Sequence, residues 1–434
     1  MEGIINLPES ATLLINKISD QRIKEGKKTY KFGLGQSPFP VPGHIVEELK
    51  KNAHKKDYLP VQGLPELCKS VAEYRSSKHG VQISPDNVMI GPGSKELLFI
   101  LQLCYHGKLL LPNPSWVSYA PQAQIIGRDV HWLNTTLKDG WKLRPEVLDE
   151  YCSNDECPLP KLLLLNSPCN PTGATYHPEE LKSLAEVAKK HDLCVMSDEI
   201  YGGCTFFING NENIVNVEGH RGQSIASYYP EKTIIFGGIS KWAGAGGWRL
   251  GACSFPDEMK WLLKRMSAVA SETYTSVSSP IQYAAVKAYE INNADTNEYL
   301  RATQTILSAL SSHITERLST CGCEIAEPGG GFYVFPDFSN CKSIHKEEFK
   351  TSLEMCETIL DNTGVAMLSG SHFGRPDEEL TARISFVNFN GEKAINGWKK
   401  EGSLDFITLK ENGFLRRYCS PTIEGIEVLV NYCK

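Results

Sequence analysis

The chain has 434 residues, a formal net charge of −6 and 22% charged residues of both signs. That length allows a large domain plus a smaller one, each with its own core, and the interspersed charge excludes the basic face that a nucleic-acid partner would need. No apolar run reaches membrane-span length, and MEGIINLPES lacks a basic stretch followed by an apolar core, so neither a membrane anchor nor a secretory leader is expected. The 14 cysteines are scattered singly apart from Cys321 and Cys323. No CxxC pair or zinc-type spacing appears, which reads as reduced, mostly buried thiols, no metal and a cytoplasmic location.

Residues 11–27 place Leu13, Leu14, Ile15, Ile18 and Ile23 at helical intervals and predict an amphipathic helix ending in a turn at Glu25-Gly26. In KFGLGQSPFPVP the prolines stop regular structure, and Gly33 and Gly35 suit close approach of backbone. Tyr58 precedes a turn, and a helix with Leu67, Val71 and Ala72 on its inner stripe is predicted from Leu64. VMIGPGSKELLFILQLC reads as strand, glycine turn and helix, with Ser94 as cap and Glu96 at the positive end. Free N–H groups there form an anion site, though any strand-to-helix turn looks alike.

Leu109 to Leu111 suit a buried strand. Trp116, on the irregular stretch after it, suits stacking on a flat ring and equally suits a core position. KLLLLN is a buried strand that runs on to Asn170-Pro171-Thr172-Gly173, at the kind of strand end where α/β sheets bind ligands. The next helix starts near Pro178 and carries Leu181, Leu184, Ala185 and Ala188 inward. LCVMSDEIYGG ends a buried strand at Asp198, where a carboxylate is costly without a partner, and Tyr201 lies three residues on. TIIFGG then delivers Lys241, flanked by Ser240 and a glycine-rich loop that ends in Arg249. An amine nucleophile beside a phosphate-holding arginine is what a pyridoxal-phosphate Schiff-base site requires; a basic glycine-rich loop at a sheet edge would read the same way.

A long helix is predicted around Pro280, and the character changes after about residue 295. There follow a long helix from Tyr299 to Leu318, an aromatic strand at Phe332 to Phe335, a helix over 347–362, and a strand carrying Arg383. Residues 392–418 have no assignment, and the last helix is expected after Ser420-Pro421.

Taken in order, these segments resemble the class I/II aminotransferases, fold type I pyridoxal-phosphate enzymes. The signature is carried by Gly238, Ile239, Ser240 and Lys241, then Gly247, Trp248, Arg249, Leu250 and Gly251, and is supported by the Asn170 turn, Asp198-x-x-Tyr201 and Arg383. The resemblance implies an α/β fold. A large domain would hold a mostly parallel, seven-stranded-type sheet between helices, and a smaller α+β domain would come from the N-terminal segment and the C-terminal part. The expected divisions are an N-terminal arm at 1–36, a large cofactor-binding domain at 37–294 and a small domain at 295–434.

It further implies that Lys241 forms the Schiff base with pyridoxal 5'-phosphate and shuttles the proton. Asp198 would pair with the ring nitrogen, Asn170 and Tyr201 would meet the phenolic oxygen, and Trp116 would cover the ring. Gly93, Ser94, Lys95, Ser240, Arg249 and a partner subunit's Tyr58 would hold the phosphate, which implies a homodimer with shared sites. Gly35, Asn170 and Arg383 would bind the substrate, with Arg383 on its α-carboxylate, and Gln36 and His372 would border the pocket. The implied reaction exchanges an α-amino group between an amino acid and a 2-oxo acid. No arginine stands between Tyr274 and Gln282, where aspartate enzymes of the family carry one for a distal carboxylate, which argues against a strictly dicarboxylic substrate. β-Eliminating C–S lyases, cyclopropane-forming (ACC-synthase-like) enzymes and amino-acid oxidases or hydroxylases share the same cofactor residues. A non-catalytic ligand-binding relative is disfavoured because both Lys241 and Asp198 are present.

Overall fold

In a computed structural model, which describes residues 7, 9–206 and 223–434, the first strand, β1 (Tyr30–Lys31), lies outside the main sheet. The main sheet holds β2 (Val88–Gly91), β3 (Lys108–Asn113), β4 (Val130–Asn134), β5 (Lys161–Asn166), β6 (Cys194–Asp198), β7 (Thr233–Gly238) and β8 (Gly251–Ser254). Their order is β2-β8-β7-β6-β5-β3-β4. Only β8 runs antiparallel to its neighbours; the remaining pairings are parallel. β6 and β7 are buried along their whole length, as continuous apolar runs in a doubly covered parallel sheet should be.

Helices cover both faces. On one, Leu97 and Leu101 of the Ser94–Cys104 helix and Leu262 and Met266 of the Lys260–Ser271 helix pack with Met196 and Phe236. On the other, Leu181, Leu184 and Ala188 of the Pro178–Lys190 helix meet Leu163 and Val195. Each large aliphatic removed from water contributes about 1.5–3 kcal/mol, so both layers hold the carboxyl ends of the parallel strands in fixed relation. Those ends carry the site.

A second body of core residues surrounds the 26-residue Ala294–Ser319 helix. It includes Phe332, Ile384, Trp398 and Ile426 together with Tyr30 and Phe32 from early in the chain. Here β9 (Tyr333–Val334), β10 (Val365–Ala366), β11 (Leu368–Ser369) and β12 (Ala382–Ser385) form short sheets. β12 lies between β11 and β9, antiparallel to both, and β1 pairs in parallel with β10. Among the described residues no helix is long and apolar enough to cross a membrane.

Several expectations change. The first helix spans Ala11–Lys24, as its periodicity predicts, with Leu13, Leu14, Ile18 and Ile23 of its apolar stripe exposed among the described residues. Ser94 is the first helical residue rather than the cap, because Gly93, at φ 95°, takes the cap position. The helix near Pro280 is short, Ser279–Ala288. The helix expected over 347–362 starts later, at Ser352–Thr363, and a short helix that was not expected, Lys342–Glu347, precedes it. The chain turns at Glu348 with φ 52°, and the Thr351 side chain accepts from the Glu354 N–H to cap the second helix. The unassigned stretch forms the Gly391–Lys400, Phe406–Glu411 and Phe414–Tyr418 helices, whose Trp398, Leu409 and Phe414 are buried in the second core. The last helix is Ser420–Cys433, with proline in its first turn.

Candidate active site

At the carboxyl ends of β3, β5, β6 and β7 lies a cavity of about 490 Å³. It is lined by Gly35, Gly93, Ser94, Lys95, Trp116, Asn170, Asp198, Tyr201, Ser240, Lys241, Arg249 and Arg383. Segments from position 35 to 383 therefore converge, as the crevice rule for parallel sheets requires. Gln36 also lines the cavity. His372 does not; its Nδ1 lies 2.6 Å from Ser369 Oγ. Tyr58 stands outside, 89% exposed on the surface of the chain.

One end of the cavity is an anion cradle. The Ser94–Cys104 helix points its N-terminus there, where N–H groups lack intrahelical acceptors. A Cβ on Gly93 would lie 2.4 Å from Arg249 Nη2, so only glycine lets the guanidinium reach this turn. Arg249 donates to the carbonyls of Gly246 (2.9 Å) and Pro92 (3.1 Å). The Lys95 ammonium lies 4.9 Å from the centre of the Trp116 ring. Desolvation, and secondarily the charge of Arg249, hold the Lys95 pKa below the usual lysine value. Among the described residues neither cation has a carboxylate partner in an ion pair. Two cations at a helix N-terminus suit a phosphate.

At the other end Asp198, 2% exposed, closes β6. Its Oδ2 accepts from the Tyr119 hydroxyl at 2.7 Å and its Oδ1 from the Ile200 N–H at 3.2 Å. Burial raises its pKa to about 6, against the pull of the Tyr119 hydrogen bond. A buried carboxylate so placed wants a cation. Lys241 donates to the Gly35 carbonyl at 2.7 Å. Burial, then the charge of Arg383, lower its pKa to about 8, so an appreciable neutral fraction exists near neutral pH.

Arg383, 1% exposed on β12, donates to Asn170 Oδ1 at 2.8 Å and to the Gly33 carbonyl. Its guanidinium lies over the rings of Tyr333 (4.7 Å) and Phe373 (4.9 Å). Its Nε has no hydrogen-bond partner among the described residues, and no ion pair there neutralises it. Asn170 is itself fixed: its N–H donates to Asn166 Oδ1, and Asn166 Nδ2 donates to the Asp198 carbonyl, both at 2.8 Å.

Tyr119 and Tyr333 are among the lining residues that were not expected as site residues. Tyr119 opens a short helix just after Trp116, and the two rings meet edge to face at 5.1 Å. Tyr333 shares a 2.7 Å hydroxyl–hydroxyl hydrogen bond with Tyr201. A Cβ on Gly35 would fall 1.8 Å from that Tyr333 hydroxyl, so the aromatic strand reaches the cavity only because residue 35 has no side chain. The only sequence signal for Tyr333 was its place after three glycines; for Tyr119 there was none beyond proximity to Trp116.

An anion cradle, a depressed amine and a buried carboxylate around one hollow fit a phosphorylated, cationic heterocycle with an aldehyde, which is the chemistry of pyridoxal phosphate.

A family model described as aminotransferase class I and II matches residues 27–393. An asparagine–oxo-acid transaminase of Streptococcus mutans is 28% identical over 414 residues, 94% of this chain and 95% of that protein. An aspartate aminotransferase of Bacillus subtilis is 29% identical over 388 residues, 88% of this chain and 92% of that protein. Among solved structures, Thermus thermophilus aspartate aminotransferase with maleate superposes at TM-score 0.81 over the whole of both chains, with 24% identity.

Proposed function

The chain belongs to the class I and II aminotransferases, and from that premise we propose how its own residues divide the work of a fold type I, pyridoxal-phosphate-dependent transaminase. When bound, pyridoxal phosphate supplies the electron sink for the pair left on the substrate α-carbon. Lys241 would attach it, and the glycine turn with Gly93, Ser94, Lys95, Ser240 and Arg249 would hold its phosphate. Trp116 would cover the ring. Asp198, held by the Tyr119 hydroxyl, would pair with the ring nitrogen as a carboxylate, and Asn170 and Tyr201 would meet the phenolic oxygen.

Arg383 grips the α-carboxylate of the incoming amino acid or 2-oxo acid, with Gly35 and Asn170 beside it. The observation that carries this reading is a buried guanidinium whose partners are neutral, on the wall of the hollow that holds Lys241 and Asp198. Leaving such a cation unpaired is expensive, and a substrate carboxylate supplies the missing charge. Once free, the Lys241 amine takes the α-proton as general base and returns it as general acid.

The amino donor, on this proposal, has a neutral side chain. The cavity's four cations among the described residues, Lys95, Lys241, Arg249 and Arg383, are all engaged by the roles above, so none of the described lining remains for a distal carboxylate. Gln36 and Ser118 offer neutral polar groups instead. The reading also includes a division into 1–36, 37–294 and 295–434, and a homodimer in which the partner's Tyr58 completes each phosphate site; the exposure of Tyr58 supports this.

A screen of amino donors against a 2-oxo acid tests the assignment. Asparagine-like and other neutral donors should outpace aspartate and glutamate, and Arg383→Lys should lower kcat/KM for every donor by roughly two orders of magnitude, about 2–5 kcal/mol for a broken buried charge pair. A strong preference for dicarboxylates overturns the side-chain assignment, and an unchanged kcat/KM in Arg383→Lys overturns the carboxylate grip.

A further inference from the structure

Four thiols meet in the second core, far apart in sequence. Cys321 and Cys323 follow the end of the Ala294–Ser319 helix, Cys341 precedes the Lys342–Glu347 helix, and Cys433 ends the Ser420–Cys433 helix. Their exposures are 6%, 4%, 0% and 0%. The sulfurs of Cys321, Cys341 and Cys433 all lie within 4.8 Å of one another. Cys323 Sγ is 3.7 Å from Cys321 Sγ and 3.4 Å from Cys341 Sγ. None of the four lines the transaminase cavity, so the cluster has no part in the reaction. The turn that aims the first two thiols at one point depends on Gly322. Its φ is 96°, and a Cβ there would lie 2.7 Å from the Asn340 carbonyl, so glycine alone lets the Cys321-Cys323 turn lie against the backbone that presents Cys341.

We propose that Cys321, Cys323, Cys341 and Cys433 form a structural tetrathiolate site for one zinc ion, which fastens the carboxyl-terminal helix to the end of the long helix. Zinc–sulfur bonds of about 2.3 Å in a tetrahedron set sulfur–sulfur edges of about 3.8 Å, close to the two nearest separations seen. The Cys321, Cys341 and Cys433 sulfurs are close enough together to hold one metal ion, with Cys323 beside two of them. A Cys321–Cys323 disulfide would close a very small ring at strained geometry and leave the other two thiols unexplained. On binding, the four thiols release four protons to solvent and the ion takes four sulfur electron pairs, with no redox change. Cys321 gives up its 3.0 Å hydrogen bond to the Leu318 carbonyl in that step. Arg317, near the end of the long helix, is held by Glu427 of the carboxyl-terminal helix at 2.6 and 2.7 Å, so a second contact joins the same two elements. Sequence spacing conceals the site, because three elements supply four ligands and only one pair is adjacent.

Metal analysis of the full-length holoenzyme, purified without chelator, should find about one zinc per chain. Cobalt(II) added after demetallation should give the intense red-region and near-ultraviolet bands of a tetrahedral thiolate centre. Cys433→Ser should lose most of the metal and melt several degrees lower while keeping the cofactor's visible absorbance. Cys356→Ser, a buried thiol outside the cluster, should keep the metal. Native protein with less than about a tenth of a zinc per chain and no cobalt spectrum overturns the proposal. So does iron in place of zinc, a disulfide among the four found by peptide mapping, or full metal retention in both Cys433→Ser and Cys321→Ala. The native protein's own metal content and cobalt spectrum decide the matter even if a variant fails to fold.

Discussion

Tyr119 makes the acid–base setting of this site specific. Its hydroxyl is the only side-chain donor to the Asp198 carboxylate among the described residues, at 2.7 Å. Burial pushes Asp198 up to about 6 from 3.8, and the tyrosine opposes that shift. The sign follows: the proton is held more tightly in the fold, so this group's contribution to stability is greatest below the unfolded value and falls away as pH rises through about 6. Removing the donor raises the value further. Tyr119→Phe should therefore move the acidic limb of the kcat/KM profile to higher pH, because the ionised carboxylate is the working form, and should leave the limit at high pH less affected. A pH–rate comparison of the two proteins checks it, and superimposable acidic limbs would remove Tyr119 from the argument. Lys241, Asp198, Asn170 and Arg383 were legible in the sequence because each sits in a local pattern with its own chemistry. Tyr119 was not: its partner is 79 residues away, and only the sheet order brings the segment after β3 against the end of β6.

At the scale of elements, the strand-to-helix turn after β2 shows how a backbone conformation becomes an affinity. Gly93 is at φ 95° and has Arg249 where a Cβ would be. Gly93→Ala should strain the turn by about 1–3 kcal/mol and displace the guanidinium. Spectroscopic titration should then show cofactor retention weakened by roughly tenfold or more, with far-ultraviolet dichroism unchanged; equal affinity would mean that Arg249 does not need this approach. Periodicity reported the elements well where a helix lies on the sheet, as for Leu181, Leu184, Ala185 and Ala188, all buried. Periodicity says of the Ala11–Lys24 helix that one face is apolar, not that the same chain covers it. It also began the Ser352–Thr363 helix at residue 347, because a left-handed turn at Glu348 leaves no glycine or proline to announce the start.

For the whole molecule, the exposed Tyr58 is the residue that the dimer proposal employs. Hybrid dimers test it. Subunits with Lys241→Ala mixed with subunits with Tyr58→Ala should give one intact site per hybrid, recovering tight cofactor binding and activity that neither parent shows. No recovery would mean that Tyr58 serves its own subunit or no site. The parallel pairing of β1 with β10 has a further consequence. Phe32 is bound by backbone hydrogen bonds to Ala366 and Ser385, and Arg383 reaches Gly33. During vectorial synthesis the sheet that carries the amine can assemble while the ribosome is still at work. The residues near position 33 must wait for their partners until the chain has been made as far as Ser385. A nascent chain released early would thus display the reactive lysine without the clamp that selects what it meets.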